Sequence, residues 1–280
     1  MTLLQIVVLA IIQGLTEFLP VSSSAHLIFP NQLLGWPDQG LAFDVAVHIG
    51  TLLAVIFYYI ADLVKIGTYT IEAMIKLRQT PISRIGCCLI VGSIPVCIAG
   101  FFFMNDVETI ARSVDVIAYA TIGFGILLGL ASYVNRHLVW RTILNVQGER
   151  PDTLRHMTIQ QAFVIGCAQV FALIPGTSRS GITITAGLFL GLRPEAAARF
   201  SFLLAIPVII ASGTLETIAC FNDPVHAGAA GITQMVVGAL LSFFVALAVI
   251  HLFMKYIAKS GMAIFVTYRI LLGIVLLWLF

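Results

Sequence analysis

The sequence predicts an all-α polytopic membrane protein with six transmembrane helices and two re-entrant helical hairpins in an inverted-topology repeat. Three observations carry this. The 280 residues are 60% hydrophobic and only 10% charged, with a mean hydropathy of +1.04. A soluble domain usually carries about 25% charged residues, so lipid must solvate much of this surface. Six apolar runs are long enough to cross a bilayer, at roughly 41–60, 84–104, 114–134, 197–219, 230–254 and 262–280. Two further apolar regions, 3–34 and 157–192, are interrupted by polar residues.

Each interrupted region reads as two half-length helices joined by an unwound turn. Pro20 and the serines 22 to 24 break the first; Pro175, Gly176 and the polar run to Ser180 break the second. Unwound backbone survives at membrane depth only inside protein or against a water-filled cavity. The two turns are therefore expected to face each other in the interior.

The single membrane domain 1–280 divides into a first repeat, 1–140, and a second, 157–280, each a hairpin plus three spans. Gln13 to Ser24 can be laid on Gln169 to Ser180 with one gap, and Phe43-Asp44 on Phe200-Ser201. Three spans per half invert the second half relative to the first. Paired broken segments in such a repeat point to a site near the midplane.

Loop charges set the orientation. Lys65, Lys76, Arg78 and Arg84 lie around the 61–83 loop, Arg136, Arg141, Arg150 and Arg155 around 135–156, and Lys255 and Lys259 after 254. The intervening loops hold Asp106, Glu108 and Arg112, then only Asp223. The positive-inside rule puts the three basic loops in the cytoplasm and both termini outside. The first hairpin then enters from outside and the second from the cytoplasm. The N-terminal run Leu3–Ile12 has no preceding Lys or Arg and no cleavage site, which argues against a signal peptide.

A net charge of +2 without a basic block excludes a nucleic-acid surface. Cys87, Cys88, Cys97, Cys167 and Cys220 show no metal-type spacing and read as small apolar residues.

The hairpin turns carry the chemistry. The first contains Gln13, Glu17, Ser22, Ser23, Ser24 and His26; the second contains Gly176, Thr177, Ser178, Arg179, Ser180, Gly181 and Thr183. Ionisable groups at this depth are costly and usually functional. Arg179 offers a planar fork suited to phosphate oxygens. Gly176 and Gly181 would let backbone N–H groups approach an anion, and a half-helix starting near Ser180 would add positive potential. In the first turn a serine could attack phosphorus, with Glu17 and His26 as base and acid. Gln13, one turn before Glu17, could bind substrate or orient Glu17. Glu17 could also hold a divalent cation on a diphosphate.

Blander roles stand beside these. Arg179 could satisfy buried carbonyls, Ser22 or Ser24 could be helix caps, and His26 or Glu17 could be structural. Asp44 and His48, at i and i+4, could line the outer cavity mouth or form a structural pair. Arg269 is expected to pair within the bundle or snorkel, and Glu216 and His251 to be interfacial. Gly123, Gly125 and Gly129 permit close helix packing, internally or in a homodimer. A transporter would share this anion site, and a structural membrane protein would have none.

At Gln13-Gly-Leu-Thr-Glu17-Phe-Leu-Pro-Val-Ser-Ser-Ser-Ala-His26 and Pro175-Gly-Thr-Ser-Arg-Ser-Gly-Ile-Thr183 the chain resembles the bacterial undecaprenyl-diphosphate phosphatase family, also called the bacitracin-resistance family. These stretches match its (E/Q)xxxE and PGxSRSxxT signatures, and length and element order match over essentially the whole chain. The resemblance implies hydrolysis of undecaprenyl diphosphate to undecaprenyl phosphate and inorganic phosphate. It implies an inner-membrane enzyme open to the outer side, dependent on a divalent cation (Mg2+ or Ca2+). It places functional roles on Glu17, Ser23, His26, Ser178, Arg179 and Thr183. Ser23 is favoured as nucleophile because it lies between Glu17 and His26; His26 is the other candidate. Gln13 stands where some members carry a second Glu, so this turn offers one carboxylate where they offer two. Ser24-Ala25 replaces the Thr-Gly of some members.

Overall fold

The computed structural model describes residues 1–36, 39–110, 113–139, 154–222 and 230–279, and every regular element among them is helical. Of the charges that set the expected orientation, Arg112, Arg141, Arg150 and Asp223 lie outside the described residues, as do the side chains of Asp106, Glu108 and Arg155.

The first interrupted region forms α1 (Leu3–Thr16) and α2 (Ser23–Leu34). Next come α3 (Leu41–Tyr58), α4 (Ile60–Lys76), α5 (Pro81–Ile110) and α6 (Val114–Val134). The second interrupted region forms α7 (Ile159–Gln169), a tight turn at Val170–Leu173, and α8 (Arg179–Phe189). Then follow α9 (Pro194–Asn222), α10 (Ile232–Ser260) and α11 (Ala263–Leu279).

By length and composition, Leu41–Tyr58, Pro81–Phe103, Val114–His137, Pro194–Phe221 and Ile232–Ser260 can each cross a membrane. The chain is therefore a multi-pass membrane protein. The sixth expected span, α11, is apolar but has only 17 residues.

One expectation is overturned. Residues 61–83, read as a loop from their charges, contain the helix α4. Its charges are spaced for one face, leaving Val64, Ile71 and Ile75 exposed as an apolar stripe and Ile66 buried. Arg199 on α9 donates to Asp62 at 2.6 Å and ties this helix to the bundle.

Hairpins and long helices pack reciprocally. α1 lies on α10, α7 lies on α5, α3 crosses both α10 and α9, and α6 lies between α8 and α11. Gly125 and Gly129 face Arg269 and Val266 of α11, so their small size serves an internal contact. The main core runs through Phe18, Phe202 and Phe253; the Phe18 and Phe202 rings meet edge-on at 5.2 Å. Phe18 is fully buried next to Glu17, so core packing seats the first turn directly.

The α3–α10 crossing depends on Gly50. A Cβ there would overlap the Ala239 carbonyl and the Ser242 hydroxyl. Gly50→Ala is expected to destabilise the detergent-solubilised protein by about 1–3 kcal/mol, read as a lowered thermal unfolding midpoint.

Candidate active site

Each turn is built the same way. α1 ends at Thr16, and the pre-proline residue Leu19 and Pro20, which lacks an N–H, prevent the helix from continuing. The chain restarts at Ser22, the N-cap of α2, whose Oγ accepts from the Ala25 N–H at 3.5 Å. In the second turn Ile174 is extended before Pro175, and Ser178 caps α8 by accepting from the Gly181 N–H at 3.2 Å. Ser22 and Ser178 both hold positive φ, 73° and 65°. Such conformations cost a non-glycine residue about 1–3 kcal/mol and cluster at functional sites. Matching the two caps aligns Gln13 with Gln169 and Ser24 with Ser180 without a gap. The gap needed to superpose Pro20 on Pro175 is therefore a shift of the proline by one position within a shared turn.

The turns clasp each other. The Gly176 N–H donates to Ser24 Oγ at 3.0 Å, and Ser180 Oγ donates to the Leu19 carbonyl at 2.9 Å. Ser22 and Ser24 hydroxyls lie 3.0 Å apart, and Ser178 and Ser180 hydroxyls 3.2 Å apart.

An ion pair crosses this clasp. Arg179 Nη2 donates to Glu17 Oε1 at 2.8 Å, with side chains only 14% and 7% exposed. Gln13 Nε2 donates to Glu17 Oε2 at 2.8 Å. His48 Nε2 lies 3.7 Å from the same oxygen. Burying the carboxylate is tolerable because both of its oxygens are engaged.

His26 is held at both ring nitrogens. Nδ1 donates to the Ser22 carbonyl at 2.6 Å, and Nε2 lies 2.6 Å from the Tyr268 hydroxyl. With a carbonyl opposite Nδ1, the proton of the neutral ring sits there and Nε2 is the nitrogen open to chemistry. A cavity of about 390 Å³ opens beside this pair, lined by Ile12, Leu15, Leu19, Val21 and Phe265. Ser23, at the start of α2, makes no hydrogen bond through its hydroxyl among the described residues, which leaves that group available.

Several expectations need correction. The Gly176 and Gly181 N–H groups are taken by Ser24 and Ser178 and do not face an open anion position. Glycine is required at 176 because φ is +93° and a Cβ would strike the Ile117 carbonyl. The free donors are the N–H groups of Ser178, Arg179 and Ser180, which have no partner among the described residues. Thr183 points away from the turn: its hydroxyl donates to the Arg179 carbonyl at 2.9 Å and meets Ser201 Oγ at 2.7 Å. Thr177 Oγ1 is buried and has no hydrogen-bond partner among the described residues. Asp44 and His48 are hydrogen-bonded through the Asp44 backbone. His48 Nδ1 donates to the Asp44 backbone carbonyl at 2.8 Å, while the Asp44 carboxylate accepts from Gln39 at 2.9 Å.

Two residues join the site beyond those expected there, Tyr268 and Arg269, and His48, weighed for the cavity mouth, lies against Glu17. Arg269 is fully buried and donates to the carbonyls of Thr121 (3.1 Å), Thr177 (2.9 Å) and Gly176 (2.9 Å). It does what was weighed for Arg179, satisfying turn carbonyls, and leaves Arg179 free for Glu17. The signal was present, since an arginine inside an apolar span is rarely idle. A lysine cannot fork onto three carbonyls. Arg269→Lys should therefore cost about 1–3 kcal/mol for each orphaned carbonyl, measured as thermal stability in detergent.

A family model described as "Bacitracin resistance protein BacA" matches residues 6–275. An undecaprenyl-diphosphatase of Alteromonas mediterranea is 48% identical over 280 residues, covering 99% of this chain and 98% of that protein. One of Chromohalobacter salexigens is 49% identical over 274 residues (98% and 97%), and one of Hahella chejuensis 48% over 282 residues (100% and 99%). On the match along nearly its whole length, the chain belongs to the BacA bacitracin resistance family.

Proposed function

We propose that this protein is an undecaprenyl-diphosphate phosphatase, releasing inorganic phosphate and leaving the polyprenyl monophosphate. The observation that carries this reading is the buried ion pair between Glu17, the C-cap of α1, and Arg179, the first residue of α8, together with the Ser23 hydroxyl at the start of α2, which has no hydrogen-bond partner among the described residues. The similarity to proteins named undecaprenyl-diphosphatase supports the substrate.

The site is built for an anion. Arg179, the N–H groups of Ser178 to Ser180 and the dipole of α8 converge there, with Arg269 just behind. A diphosphate exchanges with Glu17 for Arg179, so binding frees the carboxylate to act as base. Ser23 Oγ then attacks the terminal phosphorus and its proton passes to Glu17. The anhydride P–O bond breaks and its electrons leave with the polyprenyl monophosphate, whose leaving oxygen takes a proton from Nε2 of His26 in its imidazolium form, leaving the neutral ring with its proton on Nδ1. Glu17 then gives its proton up to solvent and His26 regains one; water attacks the phosphoserine with Glu17 again as base, and that proton passes on to the departing Ser23 oxygen, releasing phosphate and restoring Ser23. His26 is the second candidate nucleophile. Gln13 holds Glu17, and the hydroxyls of Ser22, Thr177, Ser178 and Ser180 surround the head group. Positioning and charge neutralisation carry most of the rate. The apolar cavity beside His26 suits the first isoprene units of the substrate.

Among the described residues no three His, Cys, Asp or Glu side chains cluster, so a divalent cation would be held by Glu17 together with phosphate oxygens of the substrate. Glu17 supplies one carboxylate, and Mg2+ is commonly held by one or two carboxylates plus phosphate oxygens. When bound, Mg2+ or Ca2+ would neutralise charge on the diphosphate. The two halves form an inverted repeat of two re-entrant hairpins and six spans, a reading supported by the matching N-caps and by the reciprocal packing of α1 on α10 and α7 on α5. With basic loops cytoplasmic, the protein lies in the bacterial inner membrane with its site and both termini on the outer side.

Phosphate release from a C15 or C55 diphosphate by detergent-purified protein tests the assignment. Glu17→Ala, Ser23→Ala and Arg179→Ala should each lose about a hundredfold or more in kcat, the scale of removing a transition-state donor or nucleophile. Wild-type activity in all three would refute it. Chelation with EDTA should abolish release and added Mg2+ or Ca2+ restore it; activity unchanged by chelation would remove the cation from the mechanism.

A further inference from the structure

Consecutive residues of α11 reach both hairpin turns. Arg269 holds the second through the Gly176 and Thr177 carbonyls, and Tyr268 meets His26 of the first. The Tyr268 contact has two parts. Its hydroxyl lies 2.6 Å from Nε2, and its ring lies parallel to the imidazole, 6° between planes and 5.6 Å between centroids. The Ser22 carbonyl fixes Nδ1 at 2.6 Å, but one hydrogen bond leaves the ring free to swing about it. Stacking on a broad aromatic face removes that freedom. Tyr268 is also 43% exposed along the apolar cavity, so its hydroxyl can turn away from Nε2 without unpacking the core.

We propose that Tyr268 is a positioning residue for His26. Its ring sets the imidazole plane, and its hydroxyl occupies Nε2 until the leaving-group oxygen takes its place. A hydroxyl suits this task because it donates to the neutral ring and accepts from the protonated one. Tyr268 acts through His26 and does not touch the reacting atoms. The proposal rests on the reading that His26 moves a proton in the reaction.

Tyr268→Phe keeps the stack and removes only the hydroxyl. Phosphate-release kinetics should show kcat lowered roughly tenfold, part of the hundredfold or more that acid–base catalysis contributes, with KM within about twofold. Tyr268→Leu, which also removes the stack, should lose more. In a His26→Gln background Tyr268→Phe should cost nothing further, because residues acting as a unit are not additive. Wild-type kcat in Tyr268→Phe, equal changes in kcat and KM, or an additive loss in the double variant would overturn the proposal. Wild-type kcat in His26→Gln alone would instead overturn the underlying reading of His26, a distinguishable result.

Discussion

A carboxylate and a guanidinium meet across two chain breaks, and most of the structure serves that meeting. Glu17 and Arg179 are each nearly buried, and 162 residues separate them in the chain. Removing one partner of a buried pair typically costs about 3–5 kcal/mol, so neither turn can hold its charge alone. The turns must converge, and the surrounding contacts ensure that they do. Phe18 anchors one in the core, Arg269 anchors the other, and Ser24 and Ser180 tie them together.

The same contacts leave selected groups unspent. Both turns restart their helices from a strained serine, and the bond from the Gly176 N–H to Ser24 Oγ brings the two turns together there. The resting ion pair then becomes a device rather than a brace. In the proposed mechanism a diphosphate competes with Glu17 for Arg179, and the released carboxylate is the base that the reaction needs. Substrate binding and base activation are one exchange, which keeps the nucleophile quiet when no anion is bound.

The fold was legible wherever composition and punctuation decide structure. Both broken regions were visible because prolines and serines interrupt apolar runs, and membrane depth leaves such segments few other forms. The helix α4 was hidden because its charges, read as a loop, are an amphipathic face. At the site, Glu17, Gln13 and Arg179 were readable from residue type and spacing. Which donors each turn spends internally was not, because that depends on backbone direction: Gly176 and Gly181 give their N–H groups to serines, and Thr183 turns toward Ser201. Tyr268, Arg269 and His48 enter from distant helices, and only packing shows what they touch.

The central claim is that one anion sits between the two turns and displaces the ion pair. A structure with a non-hydrolysable methylene bisphosphonate analogue of the prenyl diphosphate tests this most directly. The account predicts phosphorus density at the N-terminus of α8, with Arg179 turned from Glu17 onto the bisphosphonate. Density elsewhere, with the Glu17–Arg179 contact intact, would contradict it.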